Sequence, residues 1–310
     1  MTLRITSSNA FDTSIRNLQR RQQELSETQE RLTSGKRVLR ASDDPAAAAH
    51  AERALAAIRR AEADQRALEA SRSAMQFTEA ALGDAGELLQ QTRARLLEAG
   101  NGTFSDSERA TLAEAIRGLR NDLLSVANRD DGAGRYLFGG QGADRPPLAD
   151  GIGGVSYVAA PGELYTAAGE ATPLTVDGAA AWLRAPDPNN PGGTLSVFDV
   201  LDRVAGELAT AGRDTTVIAQ GVRDGLGDID ALAENLSRFR SRSGESLRRA
   251  DDIEERLAQG KLDAQRERSS SEDLDMVAAI SEFQARQSGY DAALKSYSIV
   301  QRMSLFEYLR

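Results

Sequence analysis

The sequence predicts a mainly α protein: a long antiparallel helical bundle or coiled coil from the N- and C-terminal segments, with a small β-rich inserted outer domain. Three observations predict it. Apolar residues make up 40% of the 310, yet aromatics only 5%, and much of the apolar content is alanine, which supplies helix propensity more than buried area. Apolar positions recur at helical spacing through both ends of the chain. Seven of the eight prolines and nearly half of the glycines fall between 130 and 194, so one central stretch differs in kind from its flanks.

Residues 8–33 carry a heptad stripe. Phe11, Leu18, Leu25 and Leu32 recur every seven residues, with Ile15, Gln22 and Gln29 at the other seam position. A leucine seam with polar partners is a narrow coiled-coil stripe, and three heptads of it are too short to stand alone. Residues 45–99 form a second helix. Pro45 suits its first turn, where the missing N–H has no partner to lose, and Ser42, Asp43 and Asp44 precede it as caps and first-turn acids do. Asn101 and Gly102 end it. A third helix runs from about Ser105 to Asn128 on a stripe of Leu112, Ile116, Leu119, Leu123 and Val126.

The insert spans about 135–196, with short strands expected at Gly154–Ala159 and Leu174–Val176 and Trp182 as its packing anchor. Helical pattern resumes near Val197. It continues through a long charged segment at 214–265 and a last block from Ser271. There Met276, Ile280, Phe283, Gln287, Tyr290, Leu294, Tyr297 and Gln301 keep roughly 3.5-residue spacing. The natural closure pairs the N-terminal helices with the C-terminal ones and leaves the insert at the far tip. Charge agrees, since residues 1–40 are net basic and residues 270–310 net acidic.

Composition excludes several classes of function. Net charge is −9, which argues against a nucleic-acid partner. There is no cysteine and only one histidine, His50, so thiolate chemistry and multi-histidine metal sites are out of reach. No run approaches the roughly 20 apolar residues of a membrane span, and no signal peptide is read in the N-terminal region. Gly139–Gly142, Gly151–Gly154 and Gly225–Gly227 lack the strand–turn–helix setting of a phosphate loop and read as turns or helix irregularities. Asp43 and Asp44 with Glu52 could suggest a cation site, but adjacent carboxylates before Pro45 read better as helix-start residues. No catalytic, cofactor or metal residue is expected.

One stretch remains, LTSGKRVLRASDDPAAAAHAE at 32–52. It breaks a long helical pattern with a glycine, a basic run and two aspartates before a proline. Gly35 ends one helix, Lys36–Arg40 cross as an extended link, and Ser42–Pro45 start the next. Lys36, Arg37 and Arg40 are expected to pair with local acids or with a neighbouring chain.

This stretch resembles the signature of the bacterial flagellins and their relatives. The proline after the aspartates looks more like the branch of that family that joins hook to filament. RITSSNAF at 4–11, RYLFGGQGADRPPL at 135–148 and the run from Met276 to SLFEYLR are similar to that branch as well. The resemblance implies a structural subunit, not an enzyme, exported through the flagellar type III channel and located at the extracellular hook–filament junction. It implies an inner layer from 1–40 with 270–310, a rod domain from 41–134 with 197–269, and an outward insert at 135–196. The implied partners are copies of itself in a ring, the hook-side junction protein, flagellin, and an export chaperone on the C-terminal segment. The expected interface residues are Phe11, Ile15, Leu18, Leu25, Leu32, Ile280, Phe283, Tyr290, Leu294 and Tyr297. The expected inter-layer joint is Gly35, Lys36, Arg37, Arg40, Ser42, Asp43, Asp44 and Pro45. A filament-forming flagellin, or more remotely a soluble coiled-coil scaffold, is the alternative.

Overall fold

The computed structural model describes the backbone of residues 2–142 and 144–308, and the side chains of 12–142 and 144–299. It divides into two compact units, residues 1–60 with 259–310, and residues 61–258. Six helices carry the fold: α1 (Thr2–Ser34), α2 (Pro45–Ala99), α3 (Asp106–Ala127), α4 (Val197–Ala209), α5 (Thr215–Glu272) and α6 (Met276–Tyr308). The insert adds two antiparallel hairpins, β1 (Leu148–Gly151) with β2 (Gly154–Tyr157) and β3 (Ala185–Pro186) with β4 (Thr194–Leu195). A π-helical turn spans Ala179–Leu183.

In the first unit α1 packs along α6, the pairing that the sequence leads one to expect. The Arg286 guanidinium donates to the Glu24 carbonyl at 3.2 Å. Opposite Arg21 stands Gly289, where a Cβ would lie 2.8 Å from the guanidinium, so the two helices approach closely there. Among the described residues of this unit the buried apolar ones are small or few: Val38, Ala51, Ala54, Ile58, Ala264 and Ala279.

In the second unit α2 and α5 run antiparallel, as their cross-helix ion pairs show. Arg72 meets Asp251 and Glu254 at 2.6 Å each, Glu79 meets Arg240 at 2.7 Å, and Arg93 meets Asp230 at 2.8 Å. The chain then doubles back. Ser105 starts α3 with a full capping box, its hydroxyl accepting from the Glu108 N–H while the Glu108 side chain accepts from the Ser105 N–H. At the other end of α3, Arg129 reaches Asp84 of α2 at 2.7 Å. The insert therefore joins the helices level with Asp84, well short of the Gly100 end of α2, because α3 carries the chain back before the insert begins.

The thickest core lies where α3, α4 and the insert meet α2 and α5. α4 buries Val197, Phe198, Val200, Leu201, Val204, Ala205 and Leu208. Trp182 is fully buried, edge-on to Phe138 at 5.3 Å and stacked on Phe198 at 6.2 Å. Arg120 also sits over Phe198 and is held by Asp150 of β1 and Asp202 of α4. So one aromatic cluster and one paired cation tie the insert to the helices.

Three local expectations are corrected. Leu174–Val176 is not a strand, since its backbone bonds go to Leu164 and Leu137 as isolated links. The helical pattern after Val197 is broken at Thr210–Asp214 and at Asp273–Asp275. Gly225 is neither turn nor irregularity. It lies inside α5, where a Cβ would meet Val204 at 2.8 Å and Leu96 at 3.0 Å, so it is the contact point of three helices.

Trp182→Ala empties the centre of this core. It is expected to cost about 3–5 kcal/mol, read as a lower urea midpoint for residues 61–258 by circular dichroism.

Candidate assembly site and helix joint

The joint is built from two chain breaks that close on each other. α1 ends because Gly35 takes φ +69, the left-handed cap position that glycine fills without strain. Its N–H donates back to the Arg31 carbonyl at 2.9 Å. The link beyond it then pairs with the break between α5 and α6. The Arg37 N–H donates to the Glu272 carbonyl at 2.7 Å, and the Leu274 N–H donates to the Gly35 carbonyl at 3.0 Å. Lys36 and Asp273 thereby form an antiparallel bridge.

Each basic residue of the link has a local acid or backbone partner. Lys36 reaches Glu272 at 3.2 Å, and Arg37 reaches Asp44 at 3.1 Å. The Arg37 guanidinium also donates to the Ser271 carbonyl at 2.8 Å. Arg40 contributes through its backbone, since its N–H and that of Leu39 donate to the Asp43 carboxylate at 3.0 and 3.1 Å. Val38 is the one buried apolar side chain of the link.

The aspartates start the next helix. Asp44 caps α2, accepting from the Ala47 N–H at 3.0 Å, and Pro45 holds the first position. Ser42 points its hydroxyl at Asp43 at 3.5 Å. The backbone N–H of Arg40 draws the Asp43 carboxyl below the ordinary aspartate range, with Leu39, Arg31 and Arg40 helping. The Ala47 N–H does the same for Asp44, followed by the Arg37 guanidinium. Among the described residues no cluster of three or more acids or histidines is placed to hold a metal ion.

Glu272 and Asp275 escaped the sequence reading, although both complete the joint. Glu272 supplies a carbonyl and a carboxylate to the link. Asp275 accepts from the Val277 and Ala278 N–H groups at 3.0 and 3.1 Å and so starts α6. The cue was present in Asp273-Leu274-Asp275 before an apolar run, but the continuous seam on either side masked it.

The seam residues of the terminal helices divide in two. On α1, Leu18, Leu25 and Leu32 are half-buried, while Ile15, Gln22 and Gln29 at the alternate heptad position are exposed. On α6, Phe283, Tyr290 and Tyr297 are half-buried, while Ile280, Gln287 and Leu294 are exposed. Ile280 keeps 46% and Leu294 41% of their surface in water. Each helix thus spends one seam on its partner and shows a second, part apolar and part glutamine. Phe11 lies in α1, but its side chain is outside the described ones, as are those of the motifs at 4–11 and 304–310.

The fold is mainly helical, and residues 6–143 match the family model described as the bacterial flagellin N-terminal helical region. The particular relative follows from the full-length matches. The chain is 25% identical to flagellar hook-associated protein 3 of Salmonella typhimurium over 99% of this chain and 100% of that one. Flagellin A of Vibrio cholerae is 32% identical, but over 45% of this chain and 37% of its own. Among solved structures, the putative flagellar hook-associated protein of Vibrio parahaemolyticus superposes with a TM-score of 0.64. It is 17% identical and covers 74% of this chain and 100% of that one. The resemblance to the flagellin superfamily, and within it to the third hook-associated protein, is borne out.

Gly35→Ala forces a Cβ into left-handed backbone with no clash to blame, so it is expected to cost about 1 kcal/mol, and Gly35→Asn less. The exchange free energy of the Arg37 and Leu274 amides reads the difference. The lowered carboxyls of Asp43 and Asp44 stabilise the joint above the unfolded aspartate range, and that contribution is lost as pH falls through their folded values. Acid should therefore speed exchange at Leu39, Arg40 and Ala47, after correction for the intrinsic rate. Unchanged protection there would refute the electrostatic part.

Proposed function

We propose that this chain is a structural subunit of the bacterial flagellum that joins the hook to the flagellin filament. The observation that carries it is the full-length similarity to hook-associated protein 3, beside a flagellin match that stops at less than half of the chain. Its work is mechanical, with packing in place of catalysis. The relatives are flagellar hook-associated proteins, and Lys36 and Arg37 of the joint are paired with Glu272 and Asp44.

The terminal segments, 1–40 with 270–310, form the inner layer. Residues 41–134 with 197–269 form the rod domain around it, and 135–196 face outward. Copies of the chain pack side by side through the second seam, Ile15, Ile280 and Leu294, while Leu18, Leu25, Leu32, Phe283, Tyr290 and Tyr297 hold α1 to α6. The exposed glutamines weaken the second seam enough that many weak contacts, ordered together in a ring, replace one strong pair. The joint residues Gly35–Pro45 sit where the layers meet and transmit torque between them. The partners are the hook-side junction protein on one side and flagellin on the other. Before export through the type III channel an export chaperone covers the C-terminal segment, and the mature protein lies outside the cell.

Two paired variants test this. Ile280→Asp with Leu294→Asp should block incorporation into flagella while leaving α1 on α6. Leu18→Asp with Leu25→Asp should block incorporation and also free α1 to exchange, with residues 61–258 still folded. Normal junctions from either variant, seen by electron microscopy, would sink the assignment of the seams. A strain lacking the protein is expected to keep its hooks and shed unpolymerised flagellin into the medium. Full-length filaments in that strain would refute the function itself.

A further inference from the structure

Residues 163–174 make contacts that the insert's own core does not require. The segment is a preformed hairpin. The Thr166 N–H donates to the Thr172 carbonyl at 2.9 Å, the Leu174 N–H to the Leu164 carbonyl at 2.7 Å, and the Thr166 hydroxyl to the Glu170 carbonyl at 3.2 Å. Its base is anchored by the buried Thr175, whose hydroxyl donates to the Gly140 carbonyl at 2.7 Å. Its far end rests on both long helices. The Ser71 hydroxyl of α2 donates to the Pro173 carbonyl at 2.6 Å. Gly169, at φ +70, lies so close to Asp64 that a Cβ there would be 3.2 Å from the Asp64 Cβ. Glu170 reaches Arg256 at 2.5 Å and Arg249 at 3.6 Å on α5. The insert joins the helices level with Asp84 and touches Asp64 at this tip, a span of about 30 Å along α2 at helical rise.

Beneath the tip lies a small apolar cluster, Leu68, Ala250 and Ile253 with Leu257, separate from the main core. A cavity of about 310 Å³ adjoins it, lined from α2, α5 and the hairpin tip. Three buried residues give the two helices little to hold on to at this level. The Ser71 hydroxyl that holds Pro173 is buried, but the ion pairs at the tip are exposed, with 46% of the Glu170 side chain, 64% of Arg249 and 58% of Arg256 in water. Ion pairs so exposed are weak and are screened by salt.

We infer that residues 163–174 are a latched strap, closed by Glu170 between Arg249 and Arg256, which pins α2 to α5 at Leu68 and Ile253 and opens when that latch is screened or cut. Opening releases the hairpin from the helices and exposes the small cluster. The main core stays intact, because Trp182, Phe138 and Phe198 lie in the other cluster. The inference is independent of the flagellar assignment.

Hydrogen exchange on the full chain tests it. At low salt, Glu170→Gln is expected to speed exchange at the Thr166 and Thr172 amides by roughly three- to tenfold. High salt should do the same to the wild type and add little to the variant. Exchange around Leu68 and Ile253 should rise with it, and exchange around Trp182 should not. A second variant guards against an indirect effect. The chain has no cysteine, so Asp64→Cys with Gly169→Cys offers a single disulfide across the tip. Cysteine at φ +70 is strained, so the reduced form of that variant is the reference. Oxidation should abolish the salt response. Equal exchange in wild type and Glu170→Gln would overturn the latch. A strap that opens without loosening Leu68 and Ile253 would overturn the pinning, and an insert that exchanges as one block would overturn both.

Discussion

Alanine-lined contact between long helices sets the terms for everything else in this chain. Ala74, Ala81, Ala85, Ala99, Ala113, Ala127 and Ala205 are all buried. Small side chains let helix backbones come close, as Gly225 shows against Val204 and Leu96. The same side chains remove little apolar surface from water, and burial scales with that area. Such helices are positioned well but held weakly. The ion pairs between α2 and α5 fix their register, yet exposed pairs add little free energy. Strength has to come from elsewhere.

In residues 61–258 it comes from larger side chains of both helices and insert. Met75, Leu82, Leu89 and Leu96 of α2, Ile116 and Leu123 of α3 and Ile229 of α5 are buried in one core with Trp182 and Phe138 of the insert and Phe198 of α4, and Arg120 bridges β1 and α4 beside it. The insert is therefore part of the helical unit's stability. Away from that core, within residues 61–258, the α2–α5 pair buries the small cluster of Leu68, Ala250 and Ile253, and there the hairpin at 163–174 lies over it.

Among the described residues of 1–60 with 259–310 there is no such core. Backbone bonds do the holding, with Gly35, Arg37, Glu272 and Leu274 exchanging them across two breaks. The terminal helices cover one seam each and leave the other in water, with Ile280 and Leu294 the largest exposed apolar groups of that second seam on α6. An exposed seam of this kind gains from any neighbour that removes its apolar surface from water.

Much of this was legible in the sequence because it depends on local chemistry. The cap residues Ser105 and Asp44, the proline at 45 and the glycine at 35 act within a turn of their own backbone, so their types and spacing announced α3, the start of α2 and the end of α1. Heptad spacing likewise announced that α1 and α6 carry seams. Spacing could not say which seam would be covered, because that depends on where the partner helix lies. It could not show that Glu272 and Asp275 complete a joint more than 200 residues away, since nothing near them marks the pairing. Nor could it reveal that Gly225 marks a crossing of helices or that residues 163–174 reach back along α2. The sequence by itself determined the helices and their ends, through propensity and capping, and its motifs carried the family resemblance. The tertiary structure alone decided which faces meet, because contact between distant segments is a matter of geometry that no single segment contains.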